Sequence, residues 1–464
     1  MSELLDRFER ARGRAVIDER GEHGYDDLRA RAASVAAFLG DRRGKRVALL
    51  APPGADFVSA LFGIFSSGAC GLVLSPLHPG AETKYFCDDA DVDLVLVTPD
   101  QRERAAAANR PVVDLASIPS ATRTDVAIDR EAPALMLYTS GTTGKPKGAV
   151  ISHRSLSIQQ ELLGQAWGLS ASDVLLHMLP LHHMHGLCIA LLSSVGAGAT
   201  IRMLAAFDAA RIWSEMARST VFMAVPTIYK KLFDSPSECM QNATKLRLAT
   251  SGSSALPVTL AARWRELTGT IPLERFGMTE IGVGLSNPLE GERRAGTVGL
   301  PLRTVETKID DATGELFVRG PSLFTEYFHR DEATARAFVD GWFQTGDTVA
   351  KDERGYFRIL GRTSVDILKS GGYKLSALEI EEALRDHPAV SDVAVVGVPD
   401  ETWGDRVVAC VVARGPLDPA DLRAFAKEKL ASYKCPKDVV VLPELPRNAM
   451  GKVQKPALVA SLKK

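Results

Sequence analysis

The chain has 464 residues, 45% of them hydrophobic and 24% charged, with a net charge of −1. That length allows two or three domains around a large core, and the near-neutral balance gives no general case for nucleic acid or an anionic membrane as a partner. Six cysteines (Cys70, Cys87, Cys188, Cys239, Cys410 and Cys435) form no CxxC pair, which indicates neither a zinc site nor a disulfide framework and suits a reducing cytoplasm.

The first residues mix acids and bases without a long apolar core, so they read as neither a secretory signal nor a transit peptide. No apolar run approaches the length of a membrane span. Leu28, Ala32, Val35 and Leu39 recur at helical spacing over residues 25–39. A strand at 46–51 leads through Pro52-Pro53-Gly54 into an apolar helix at 56–67. Further strands are expected at 69–74 and 93–97, and a polar, alanine-rich surface helix at 102–110. Strands alternating with helices imply parallel sheets covered by helices.

Between the apolar runs 134–137 and 149–151 lies Tyr138-Thr139-Ser140-Gly141-Thr142-Thr143-Gly144-Lys145-Pro146-Lys147-Gly148. The pattern predicts two short strands joined by a polar loop. Glycines let backbone N–H groups turn toward a ligand, and the hydroxyls and lysines add donors, so the loop suits phosphate oxygens. It is not a Walker A loop: Gly141 stands at the wrong spacing before Gly144-Lys145, Pro146 replaces the required Ser or Thr, and a strand follows where a helix would open.

Ser152 is a candidate cap for a helix running to Gly168. Next comes Leu179-Pro180-Leu181-His182-His183-Met184-His185. The His183-x-His185 spacing suits one face of a strand, but no carboxylate or cysteine lies beside it in sequence to complete a metal site, so pocket-lining polar groups are the reading. A strand over 219–225, a strand and glycine turn over 246–256 with Pro257 opening a helix, and the segment 273–280 follow. The paired Arg293 and Arg294, taken alone, suit a solvated loop. About a hundred residues after the Arg362–Asp366 region carry their own strands and helices and form a small second domain.

The loop at 138–148 resembles the phosphate loop of the adenylate-forming superfamily of acyl-CoA synthetases, peptide-synthetase adenylation domains and luciferases. At least five further motifs follow in that superfamily's order: Leu179–His183, Gly252–Leu256, Phe276–Glu280, Thr345–Asp347 and Pro446–Lys452 among them. The resemblance implies α/β plus α+β architecture, with a large N-terminal domain of several subdomains and parallel-type sheets over 1–361. A small mobile α+β domain is implied over 362–464, with Ser364 at the hinge and the active site between the two. It implies ATP, Mg²⁺ and coenzyme A as cofactors and substrates.

By the same resemblance, Thr139, Ser140, Gly141, Thr142, Thr143, Gly144, Lys145 and Lys147 hold phosphates. Gly252, Ser253, Ser254, Glu274, Arg275, Phe276 and Gly277 lie on the adenine and ribose side; Phe276 stands where Tyr is usual, and both rings can stack on adenine. Thr279 meets the α-phosphate, Glu280 is the Mg²⁺ ligand, Asp347 and Arg362 take the ribose, Lys452 is the catalytic lysine, and the Ser370-Gly371-Gly372-Tyr373 loop serves the thiol.

The whole chain is similar to malonyl-CoA synthetases in HHMHGL, GERRAGTVG, FTEYF and LPRNAMGKVQK. A dicarboxylate requires a cation for its distal end, which this resemblance assigns to Arg293 or Arg294 with His185, and His183 beside them. Which arginine faces the pocket stays open, as does methylmalonate as a second substrate. The alternatives are a short-chain monocarboxylate synthetase and an enzyme loading a carrier protein in trans. A luciferase-like pocket does not suit the arginine pair, and a non-catalytic protein does not suit Lys452, Glu280 and Asp347 together. No nucleic-acid or membrane partner is expected.

Overall fold

A computed structural model describes residues 3–122, 126–139, 146–447 and 453–462. The chain divides into two compact units, Met1–Glu306 with Val318–Gly341, and Thr307–Phe317 with Trp342–Lys464.

The first unit holds two sheets. One has seven strands in the order Glu326–Tyr327, Lys147–Ser152, Pro133–Thr139, Cys70–Val73, Arg46–Leu50, Val92–Val97, Val112–Asp114. Its strands from Pro133–Thr139 to Val112–Asp114 pair in parallel. The other has nine strands, with six central ones in parallel, Leu273–Met278, Leu248–Ser251, Val221–Ala224, Val174–His177, Thr200–Met203 and Arg14–Asp18. Strands such as Leu248–Ser251 are buried throughout their length, as parallel strands covered on both faces must be. The expected helices at 25–39 and 56–67 are Tyr25–Leu39 and Ala55–Ser66. They pack closely enough that a Cβ on Gly63 would lie 2.6 Å from Val35 Cβ. Ser152 caps His153–Trp167 by accepting the Ser155 N–H at 3.1 Å, and the helix stops at Gly168 with φ +58°.

The second unit contains the antiparallel pair Trp342–Lys351 and Phe357–Arg362. It also contains a five-stranded sheet built around Val390–Asp400 and Gly404–Ala413. Alternate residues point to opposite faces. Val393, Val395, Val407, Ala409 and Val411 pack with Ile380, Leu384 and Leu422 of two helices, whereas Ala394, Val396, Val398, Val408 and Cys410 pack with Leu458 of the last helix. Both faces are therefore covered, in an α+β layer arrangement.

Two local expectations differ from the structure. The 102–110 helix is a short α-helix, Arg102–Ala105, followed by a 3₁₀ turn that ends where Asn109 adopts φ +51°; the left-handed residue stops the helix there. The residues His183 and His185 do not share a strand: the strand Val174–His177 ends earlier, and His185–Leu192 winds as a fully buried π-helix. Among the described residues, no helix is long and apolar enough to cross a membrane.

Candidate active site

In both sheets of the first unit, the expected functional residues follow the carboxyl ends of parallel strands: Thr139 ends Pro133–Thr139, Gly252 follows Leu248–Ser251, and Thr279 and Glu280 follow Leu273–Met278. Ligands of open α/β sheets bind at such ends. Thr139 pairs with Lys147 across the expected hairpin, so these two residues flank the loop expected to hold phosphate. Ser140, Gly141, Thr142, Thr143, Gly144 and Lys145 lie outside the described residues.

Glu280 is buried, and its Oε1 accepts a hydrogen bond of 2.7 Å from Tyr327 Oη. Tyr327 sits on the strand that pairs with Lys147–Ser152, and Lys147 Nζ stands 4.7 Å from the centre of its ring. One tyrosine therefore links the loop lysine to the expected metal carboxylate. Its hydroxyl orients Glu280, and its ring face attracts the ammonium. The sequence reading had no role for Tyr327; its only signal was membership of the FTEYF segment. Glu280 supplies the hard carboxylate oxygen that Mg²⁺ prefers. Among the described residues, no group of three or more His, Cys, Asp or Glu could hold a metal ion by itself. A single protein carboxylate fits Mg²⁺, which takes its remaining ligands from phosphates and water.

The turn at Gly252, Ser253 and Ser254 is held from behind by Glu274. Its Oε2 accepts from Leu256 N at 3.2 Å and its Oε1 from Gly296 N at 2.9 Å. Glu274, expected on the nucleotide side, thus braces the turn through backbone donors. Ser253 takes φ +71°, which turns its side chain toward His185. Phe276, Gly277 and Thr279 are half-buried along the same edge. Gly277 is obligatory there, because a Cβ would lie 2.0 Å from Gly282 O.

The most unusual group in the unit is Arg275. It is only 4% exposed, and its Nε and Nη2 have no hydrogen-bond partner. Burial without a counter-charge pulls its pKa down to about 9. The guanidinium lies flat against Gly252, where a Cβ would meet Arg275 Cζ at 2.3 Å. His185 is beside it. Its Nδ1 lies 3.2 Å from Ser253 Oγ and its Nε2 is buried without a partner. Burial first, then the positive charge of Arg275, hold the His185 imidazole neutral. His177, whose Nε2 lies 2.9 Å from Gly186 O, is likewise held neutral with its pKa near 4 by burial. His183 packs on His182 at 3.9 Å between ring centres, with burial lowering its pKa to about 4.

Arg293 and Arg294, expected at the distal carboxylate, both contact protein groups. The Arg293 guanidinium donates to the carbonyls of Pro288, Ile271 and Leu289 at 3.0–3.2 Å. These donors bond to two carbonyls of its own loop and to that of Ile271, 22 positions away. Arg294 Nη2 pairs with Glu292 at 3.0 Å, and its backbone N–H donates to Asn287 Oδ1. Among the described residues, Arg275 is a buried cation with two nitrogens, Nε and Nη2, that have no hydrogen-bond partner; the sequence reading assigned this residue to the nucleotide.

In the second unit, Asp347 and Arg362 stand opposite each other on adjacent strands. Arg362 Nε lies 3.4 Å from Asp347 Oδ1, and its Nη1 donates to Thr345 O at 2.7 Å. The two residues expected at the ribose are thus presented together. Ser370 is buried, Gly371 and Gly372 take φ +58° and +83°, and Tyr373 is exposed and stacks on Tyr433 at 4.4 Å. Lys452 lies outside the described residues; Arg447 and Val453 on either side form an antiparallel bridge. Lys455, which the sequence reading left out, is buried with Nζ 2.5 Å from Asp366 and 2.7 Å from Glu381.

The AMP-binding enzyme model matches residues 7–328, and the AMP-binding enzyme C-terminal domain model matches residues 379–452. A mitochondrial malonate–CoA ligase of Bos taurus is 40% identical, over 97% of this chain and 88% of that protein. A malonate–CoA ligase of Arabidopsis thaliana is 40% identical, over 91% of this chain and 79% of that protein. The crystal structure of ATP-bound MatB from Rhodopseudomonas palustris superposes with a TM-score of 0.91 at 34% identity, covering 100% of this chain and 99% of that one.

Proposed function

The chain belongs to the AMP-binding enzyme family, and we propose that within it the protein is an AMP-forming malonate–CoA ligase. One carboxylate oxygen of malonate attacks the α-phosphorus of ATP, the bond to the bridging oxygen breaks, and pyrophosphate leaves with its electron pair. The thiol sulfur of coenzyme A then attacks the acyl carbon, the thiol proton is lost, and AMP departs as malonyl-CoA forms. Oxide is a poor leaving group and AMP a good one, which is what the first step accomplishes.

The buried, unpartnered guanidinium of Arg275 is the observation that carries the choice of acid. A charge out of water without a partner is strongly unfavourable. A substrate ending in a second carboxylate supplies the partner at that end while its other carboxylate reacts. A simple monocarboxylate leaves the guanidinium unpaired, which argues against the short-chain alternative. Methylmalonate shares the distal carboxylate and remains a second substrate in this reading. A carrier protein in trans is the less favoured acceptor.

The remaining roles follow the family pattern. Thr139 and Lys147 flank the β- and γ-phosphates, and Glu280 would hold Mg²⁺, which neutralises charge on the pyrophosphate. Asp347 and Arg362 hold the ribose, and catalysis is chiefly positioning and charge stabilisation. We take 1–361 and 362–464 as the functional domains, with Lys452 serving adenylation and the Gly371–Tyr373 turn serving the thiol step.

Thioester formation with ATP, coenzyme A and a panel of malonate, methylmalonate, acetate and propionate tests the proposal. Malonate is expected to exceed propionate in kcat/KM by at least ~100-fold, the cost of one unpaired buried charge. Equal activity with both would overturn it.

A further inference from the structure

Both described ends of the proposed phosphate loop are tied to one helix, Gly80–Asp89. At the entry, Tyr138 stands one residue before Thr139, and its Oη donates to Asp89 Oδ2 at 2.8 Å. At the exit, Pro146 stands one residue before Lys147, and its carbonyl accepts from Tyr85 Oη at 2.8 Å. Tyr85 and Asp89 are four residues apart in the helix, so they share one of its faces. Thr139 and Lys147, which these bonds flank, pair across the hairpin.

The surrounding contacts keep the two hydroxyls in place. Phe86 packs on Tyr138 with ring centres 4.4 Å apart, and Tyr85 meets the Tyr138 ring edge-on at 6.1 Å. Phe86 is buried in the apolar cluster that also holds Met136 and Val150, one from each hairpin strand. Burial and the bond to Asp89 hold the Tyr138 phenol protonated, so the phenol is the donor. Asp89 has a second partner: Arg330 Nη2 donates to its other oxygen, Oδ1, at 2.5 Å. Arg330 lies three residues beyond Tyr327, whose hydroxyl holds Glu280.

Packing alone would be met by phenylalanine at both positions, as it is at Phe86. The hydroxyls add direction, because each fixes the backbone on one side of the loop. We infer that Tyr85 and Tyr138 are positioning residues for the binding of the β- and γ-phosphates, holding from one helix the hairpin that presents Thr139 and Lys147; this rests on the proposed assignment of residues 138–148 to the phosphates. Donors presented in place spare the cost of ordering them when the ligand arrives. The effect is confined to the part of the nucleotide that the hairpin meets. AMP lacks the β- and γ-phosphates and draws on Asp347, Arg362 and the adenine side, so its binding does not depend on the two tyrosines.

Calorimetry of the full-length protein with ATP and Mg²⁺, and separately with AMP, in the absence of malonate and coenzyme A, tests this. Tyr85→Phe and Tyr138→Phe keep the rings and remove one hydroxyl each. Each is expected to raise Kd for ATP by about 3- to 10-fold, the worth of one hydrogen bond, with Kd for AMP within about 2-fold of the parent protein. In steady-state adenylation, KM for ATP should rise by a similar factor while KM for malonate holds. Equal losses for ATP and AMP, or a lowered melting temperature with both ligands bound as before, would make the tyrosines structural and overturn the inference. Lys147→Ala separates it from the reading it rests on. ATP binding weakened by Lys147→Ala and untouched by either tyrosine variant would overturn this inference and leave the phosphate loop standing. ATP binding untouched by all three variants would overturn both.

Discussion

Tyr327 donates its phenolic hydrogen to Glu280 at 2.7 Å while its ring carries the Lys147 ammonium on one face. A residue from a two-residue edge strand thereby fixes the carboxylate that would meet Mg²⁺ and steers the lysine beside the proposed phosphate loop. Removing the hydroxyl should misorient Glu280 without emptying the core. A hydrogen bond to a charged group contributes about 1.5–3 kcal/mol, so Tyr327→Phe is expected to slow adenylation by roughly 10- to 100-fold. The apparent KM for Mg²⁺ should rise while that for malonate stays near its original value. Pyrophosphate release at graded Mg²⁺ measures both, and an unchanged Mg²⁺ dependence would remove Tyr327 from the site.

The two arginine roles separate by substitution. Arg275→Met should lower kcat/KM for malonate by about 10²- to 10³-fold, from the ~3–5 kcal/mol cost of leaving a buried charge unpaired. Propionate should be unaffected or improved. Gly252→Ala should act in the same direction, because its Cβ would meet Arg275 Cζ at 2.3 Å and displace the guanidinium. Arg293→Met should leave the malonate-to-propionate ratio unchanged and lower stability, since three backbone carbonyls lose their donor. Side-by-side kinetics and thermal melts of the three variants decide the assignment; a ratio that shifts only in Arg293→Met would reverse it.

Lys455 neutralises two buried carboxylates, Asp366 and Glu381, and Glu381 also pairs with Arg385 at 3.2 Å. Lys455→Met should destabilise the protein by about 3–5 kcal/mol, because it leaves buried charge uncompensated. Adding Asp366→Asn should recover part of that loss, since it removes one of the stranded charges. Denaturant unfolding of the single and double variants checks this, and additive losses would show that the ion pair contributes nothing.

Acid sensitivity follows from the buried histidines. Burial lowers the pKa of His177 and His183 to about 4 and that of His182 to about 3 in the folded protein. In the unfolded chain each titrates near 6.5. Between about pH 6.5 and pH 4 the unfolded state binds more protons, so stability is complete above 6.5 and is lost as the pH falls toward 4. Melting temperature measured from pH 8 to pH 4.5 should decline below 6.5. His177→Gln should flatten part of that decline, and an equally steep profile in this variant would exclude His177 as a contributor.

The local order of the chain was legible from residue types alone. Glycines and hydroxyls between two apolar runs specified a hairpin with Thr139 facing Lys147, and Ser152 and Gly168 marked the ends of one helix, because capping and turn chemistry act within a few residues. The resemblance named Asp347 and Arg362, and the register between two neighbouring strands brings them together. The identity of the arginine proposed to bind the distal anion was not legible. Arg275, Arg293 and Arg294 carry the same side chain, and what separates them is which atoms surround each guanidinium. The carbonyls that occupy Arg293 come in part from Ile271, 22 positions away, and the imidazole beside Arg275 comes from His185, on a different element. The bracing contacts of Glu274 and the burial of Lys455 were hidden for the same reason: a carboxylate taken up by backbone donors, or an ammonium buried between two acids, looks in sequence like any other surface charge. Only the tertiary structure decides which charges lose their water and which of those find a partner, because desolvation is a property of the whole packed neighbourhood and not of the residue that carries the charge.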